Sequence, residues 1–183
     1  MPEQRRAAGR RRRGVTLGLG LVAIGMVGFA AGIAPVPRLV WNASASAPVG
    51  LYRAVAGEPA RGDLVLARTP VSLRALAAER GYLPADVPLI KRVAARAGDT
   101  VCAEGDRILI NGRHVATRLE RDAHGRPLPR WKGCRLLGAA ELFLLMAGVP
   151  GSFDGRYFGP VRRSAAIARL SPVWLRGGAN GRE

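Results

Sequence analysis

Residues 14–34 carry no charged side chain, and this run limits the possible folds more than any other stretch of the 183-residue chain. As a helix it spans roughly 30 Å, the thickness of a bilayer's hydrocarbon core. Its six glycines would weaken a soluble helix, whereas membrane helices tolerate glycine well. Six arginines and one acid, Glu3, precede it within the first 13 residues. Such a cluster stays in the cytoplasm, which places everything after the run on the outer side. A cleaved secretory signal is the rival reading, since Ala43-Ser44-Ala45 has the small residues of a cleavage site. The run is long for a signal core, and a cut there would separate the helix from the residues that carry the chemistry. The expected organisation is a basic cytoplasmic arm over 1–13, a transmembrane helix over 14–34, a catalytic domain over 38–176 and a disordered tail over 177–183. This corresponds to a single-pass membrane protein with its N-terminus in the cytoplasm and its main domain outside.

The formal net charge of +16 first suggests nucleic acid. Much of it sits in the arm, and the rest is spread as single arginines without interleaved aromatics. A nucleic-acid partner is not expected. With 48% hydrophobic residues and 23% charged, the remainder can build a true core.

Beyond Pro35 and Pro37 the pattern changes to short strands separated by turns. Strands are predicted over 64–68, 88–94 and 142–147, with a last strand or extended segment over 165–175. Pro70 to Arg80 reads as a short helix with Leu73, Leu76 and Ala77 on one face and Gly81 as its stop. Ile108 to Val115 reads as a hairpin, with Asn111-Gly112 in a type I′ turn. Residues 123–132 are polar and proline-rich, a loop. The fold class is mainly β, a barrel-like catalytic domain with one or two short helices, preceded by one transmembrane helix.

The chemistry centres on Asn42 to Arg53, reading Asn-Ala-Ser-Ala-Ser-Ala-Pro-Val-Gly-Leu-Tyr-Arg. Serine is a weak nucleophile without a base beside it. Of the 29 basic residues only Lys91 and Lys132 are lysines. Arginine stays protonated in proteins, whereas a desolvated lysine can lose its proton. Lys91 lies in the apolar, strand-like Pro88-Leu-Ile-Lys-Arg-Val93, so Ser46 and Lys91 are the candidate nucleophile and base. Pro48 and Gly50 are expected to shape the turn that presents Ser46, and Tyr52 to pack. His114 and His124 have no ligand-forming neighbours at useful spacing, so neither a metal nor a cofactor is expected. Cys102 and Cys134 are the only cysteines. Outside the cytoplasm they form either a disulfide, the preferred reading, or two buried thiols.

Three segments in order resemble one family. Ser46-Ala-Pro-Val-Gly-Leu-Tyr52, Ile90-Lys-Arg-Val93 followed by Gly98-Asp99, and Ser152-Phe-Asp-Gly-Arg-Tyr-Phe-Gly-Pro160 are similar to signal peptidase I enzymes. Within that family they resemble most the TraF-type branch, whose members process pilin precursors in conjugative transfer. The resemblance implies a serine–lysine dyad of Ser46 and Lys91. It implies an oxyanion hole formed by the Ser46 backbone N–H and the Ser44 hydroxyl. It also implies that Gly98-Asp99 and Ser152 to Arg156 support the lysine. Asp154 is the supporting group, pairing with Arg156 or Arg92. Ala47 stands where the family usually has Met, at a position expected to line the substrate groove. Ala95 and Ala97 replace the usual Gly and Pro.

The implied function is a membrane-anchored endopeptidase that cuts a precursor polypeptide after a small residue. Its substrates would be pilin-like or transfer proteins, with hydrolysis or cyclisation as the outcome and a conjugation or secretion apparatus as the setting. The alternatives are a general leader peptidase I and a non-enzymatic assembly factor. An autocleaving cytoplasmic repressor also uses Ser-Lys chemistry, but it needs a DNA-binding helix pair where this chain has its apolar run.

Overall fold

A computed structural model describes residues 18–22, 24–26 and 37–177. The chain divides into two units, Met1–Val36 and Pro37–Glu183. In the first, residues 18–22 and 24–26 are helical. The arm 1–13, most of the expected span 14–34 and residues 178–183 of the tail lie outside the described residues. Among the described residues no helix is long and apolar enough to cross a membrane.

Among the described residues, the second unit is built from eleven strands. They are β1 (Leu39–Asn42), β2 (Gly50–Val55), β3 (Leu64–Ala67), β4 (Leu89–Arg96), β5 (Thr100–Glu104), β6 (Arg107–Ile110), β7 (Arg113–Thr117), β8 (Gly133–Leu136), β9 (Glu141–Leu145), β10 (Val161–Arg162) and β11 (Ala166–Leu175). Seven form one sheet in the order β1-β2-β11-β3-β4-β9-β10, and four form a second in the order β7-β6-β5-β8. Among the described residues every pairing between these strands is antiparallel. The larger sheet curls as a half-barrel. It stays open, with β1 and β10 at its ends.

The strands, the helix and the hairpin predicted beyond Pro37 appear within about two residues of their expected bounds. The helix runs over Val71–Glu79, with Ala77 buried and Gly81 at positive φ beyond it. Asn111 and Gly112 have φ of 50° and 76°, the left-handed pair that a type I′ turn requires. The turn expected to present Ser46 is a loop over 43–49 between two paired strands, with Leu39 to Asn42 in register with Gly50 to Arg53.

The core follows from strands buried on both faces. Leu64-Val-Leu-Ala67 is an unbroken apolar run. Val65 packs with Val93, Leu144 and Val161, while its neighbour Leu66 packs with Tyr52, Ile90 and Leu170. A third cluster joins Ala95, Phe143 and Leu145 of the large sheet to Val101, Ile108 and Ile110 of the small one. Each such side chain contributes roughly 1.5–3 kcal/mol on burial. These clusters fix β4 on both sides, so the one lysine of the strand is held by rigid neighbours.

Cys102 and Cys134 sit opposite one another in the β5–β8 register and form a disulfide across a separation of 32 residues. A loop of that size stabilises by about 3 to 4 kcal/mol on the chain-entropy model. We expect Cys102→Ser to lower the unfolding free energy by about that amount. Alkylation of protein isolated without reductant should find neither thiol free. Quantitative labelling of both would show that the bridge does not form.

Candidate active site

The loop 43–49 carries Ser44 and Ser46 and is held by side chains at its two ends. The Tyr52 hydroxyl donates to the Pro48 carbonyl at 2.6 Å. Gly50 lies so close to β11 that a β-carbon there would stand 2.2 Å from the Trp174 carbonyl oxygen, so no larger residue fits. Asn42, buried at the end of β1, reaches into the loop with its side-chain amide. Ser46 is half-buried and Ser44 exposed.

Lys91 lies in β4, opposite Val65 of β3. It is only 2% exposed. Its Nζ stands 3.0 Å from Ser46 Oγ and 2.9 Å from Ser152 Oγ. Burial lowers its pKa to about 8; the Asp154 carboxylate opposes that shift and the Arg156 guanidinium adds to it. A lysine in this state is neutral in a large fraction of molecules at mildly alkaline pH. The ammonium donates to Ser46 Oγ, and the neutral amine is placed to accept that hydroxyl's proton.

Asp154 pairs with Arg156, not with Arg92. The two buried side chains meet through Arg156 Nε to Asp154 Oδ1 at 3.0 Å and Arg156 Nη2 to Asp154 Oδ2 at 2.9 Å. Asp154 also accepts from the backbone N–H groups of Met146 and Arg156. Arg156 donates to the carbonyls of Met146 and Val149, both at 2.7 Å, and of Pro150 at 3.1 Å. The pair thus fastens the turn between β9 and Ser152, the residue that touches Lys91. Arg92 is exposed and donates instead to the Gly62 carbonyl.

Two further expectations need correction. Ala47 does not line the groove. It is 4% exposed and packs with Tyr52, Leu66 and Met146, because the residue after Ser46 turns inward as the loop closes. Gly98-Asp99 does not hydrogen-bond the Lys91 side chain, whose partners are Ser46 and Ser152. Asp99 accepts from the Arg96 backbone and from Asn111 Nδ2, and it pairs with Arg61, so it locks the β4–β5 turn to the β6–β7 hairpin.

Ser44 Oγ lies 2.9 Å from Ser46 Oγ and accepts from the Ser46 N–H at 3.2 Å. The two groups expected to hold an oxyanion are therefore paired with each other. An incoming oxyanion must replace the Ser44 oxygen on the Ser46 N–H while the Ser44 hydroxyl turns towards it. Ser46, Lys91 and Ser152 open onto a groove of about 1060 Å³ with apolar walls that include Leu39, Leu83 and Phe153. At one wall Tyr82 donates to Asp122 at 2.5 Å, tying the segment after the helix Val71–Glu79 to the loop over 120–128.

Ser152, expected only as part of the segment that supports the lysine, touches Lys91 directly. Asn42 had no expected role, because nothing but its position at the head of the serine stretch pointed to it. Among the described residues, Cys102, Glu104 and Cys134 have ligand atoms close enough for a metal, but the two sulfurs are consumed by the disulfide. His114 meets Thr117, and His124 meets Arg126.

The model of the signal peptidase family, peptidase S26, matches residues 11–175. A plasmid transfer protein TraF of Escherichia coli is 38% identical over 142 residues, covering 72% of this chain and 80% of that protein. A second plasmid transfer protein TraF of Escherichia coli is 34% identical over 169 residues, 87% of this chain and 92% of that one. A probable conjugal transfer protein TraF of Sinorhizobium fredii is 35% identical over 181 residues, 90% of this chain and 92% of its own. A crystal structure of a signal peptidase I from Enterococcus faecalis aligns with a TM-score of 0.38 at 20% identity, covering 64% of this chain and all of that one.

Proposed function

The chain belongs to the signal peptidase family S26, and from that premise we propose that it is a membrane-anchored serine endopeptidase acting through Ser46 and Lys91. The observation that carries the reading is the buried Lys91 Nζ at 3.0 Å from Ser46 Oγ, at the side of an apolar groove of about 1060 Å³. Neutral Lys91 takes the Ser46 proton as Oγ attacks the scissile carbonyl. The Ser46 N–H and the Ser44 hydroxyl receive the oxyanion. Lys91 then returns the proton to the leaving amine. Water, or an amine of the substrate itself, resolves the acyl-enzyme, giving hydrolysis or cyclisation. Ser152 holds the Lys91 amine on line throughout.

The substrate proposed is an exported or membrane-inserted precursor, pilin-like or otherwise part of conjugative transfer, cut after a small residue. The names of the TraF relatives support that setting. Mass spectrometry of candidate precursors, in cells with and without the intact gene, tests it. A mature terminus should appear only with the gene. Identical termini in both would sink the reading.

Membrane placement is tested apart from chemistry. The six arginines ahead of the uncharged run lead us to expect a reporter fused after Glu183 to be active outside the cytoplasm. Neutralising Arg10 to Arg13 should scramble the orientation. Reporter activity in the cytoplasm would overturn the anchor. For the oxyanion hole, Ser44→Ala should lower kcat by roughly 10²- to 10³-fold, the cost of one lost donor. A loss below about threefold would remove Ser44 from the mechanism.

A further inference from the structure

We propose that Asn42 is a positioning residue that sets the oxyanion geometry by gripping Ser44 from both sides. The inference rests on the serine–lysine reading and deepens it.

Asn42 is the last residue of β1, paired with Gly50 at the base of the loop, and is 5% exposed. Its Oδ1 accepts from the Ser44 N–H at 3.0 Å. Its Nδ2 stands 3.0 Å from each of the carbonyl oxygens of Ser44, Ala47 and Pro48. The amide can face only one way, because three carbonyls need the donor end and one N–H needs the acceptor end. A single side chain thus binds both backbone groups of Ser44 and the two carbonyls that follow Ser46. Among the described residues, the Ser44 backbone makes no hydrogen bond other than those to Asn42.

This grip bears on the reaction through Ser44. The Ser44 hydroxyl must swing from the Ser46 N–H to the developing oxyanion while its backbone stays still. An exposed residue in a seven-residue loop has no packing to hold it. Asn42 supplies that hold from a buried position on a strand, where its own rotamer is locked. Displacement of a donor by about 1 Å can cost on the order of 10²-fold in rate. Lys91 does not touch Asn42, so the base is unaffected.

The test uses the full-length protein in detergent or lipid, with a purified precursor or a peptide spanning its cleavage site. Ser46→Ala is the reference. If Ser46→Ala cleaves like the parent, the serine mechanism fails and this inference falls with it. If Ser46→Ala is inactive, Asn42→Asp and Asn42→Ala are read. Asn42→Asp keeps the shape and the acceptor but sets a carboxylate against three carbonyls. We expect kcat to fall by about 10²-fold with KM within about twofold. The midpoint of the pH–rate profile should stay with Lys91. In a Ser44→Ala background the same change should cost less than about threefold, because the residue it acts through is gone. Parent-like kcat in a folded Asn42 variant would overturn the proposal. So would an undiminished loss in the Ser44→Ala background. Failure of both variants to fold would also overturn it, since Asn42 would then serve the fold and not the donor.

Discussion

Lys91→Arg should be as inactive as Lys91→Ala and Ser46→Ala, with each protein folded and present at normal levels. Arginine keeps the positive charge at nearly the same reach, so a cation that merely held Ser46 and Ser152 in place would be rescued by it. A guanidinium does not give up its proton in proteins and so cannot accept that of serine. Near-normal cleavage by Lys91→Arg would defeat the proposed mechanism. A pH dependence follows. In the proposed mechanism the base works as the neutral amine, and burial brings its pKa down to about 8. Cleavage at saturating substrate should therefore rise with pH through about 8 and fall away in acid. The sign for stability is linked. Below about 8 the folded protein holds a buried ammonium at a cost. Between about 8 and the unfolded value of 10.5 the unfolded chain binds the extra proton, so stability should rise with pH across that window. Lys91→Met should remove this rise, along with activity. A pH–rate profile flat from 6 to 10, or one falling with pH, would contradict the assignment.

Breaking the Asp154–Arg156 pair should produce the largest loss of stability of any single change discussed. Both side chains are essentially inaccessible to solvent, at 0% and 1%. Removing one partner of a buried pair costs about 3–5 kcal/mol, because the other charge is left without its counter-ion. Arg156→Met should be the worse variant. It strands Asp154 with only two backbone donors and also frees the carbonyls of Met146, Val149 and Pro150. Asp154→Ala leaves Arg156 among those same carbonyls but orphans the Met146 N–H. Thermal unfolding with the disulfide intact should show a drop in Tm of roughly 10 °C or more for Arg156→Met. A shift under about 2 °C would mean that the pair is not what holds the turn. Cleavage should suffer beyond the stability loss, since the loosened turn carries Ser152 away from Lys91.

Which parts of this site were readable in advance follows from how local each signal was. The short-range elements needed only neighbouring residues. Asn111-Gly112 specifies its turn by the φ values the two residues tolerate, and the helix by its apolar face and following glycine. Ser46 and Lys91 were identifiable by chemical type, because a lysine in an apolar strand of an arginine-rich chain is unusual. The pairing of Cys102 with Cys134 needed only that there were two. Ala47 and Asp99 were misjudged for a common reason: each was assigned from its place in a motif, while its actual surroundings come from residues distant in the chain.

By itself the sequence determined the β-rich class, the order of the short elements, the family and the kinds of group available for chemistry. Those depend on composition, turn stereochemistry and motif spacing, all written along the chain. Only the tertiary structure decided that β11 lies between β2 and β3, that Ala47 faces the core and that Ser152 reaches Lys91 across 61 residues. It alone decided that Asp154 turns to Arg156 and that Asn42 encloses the serine loop. Strand order and buried polar contacts are chosen by which apolar faces pack together and which polar groups must then be satisfied away from water. That selection is made between segments far apart in the chain, where local pattern carries no information.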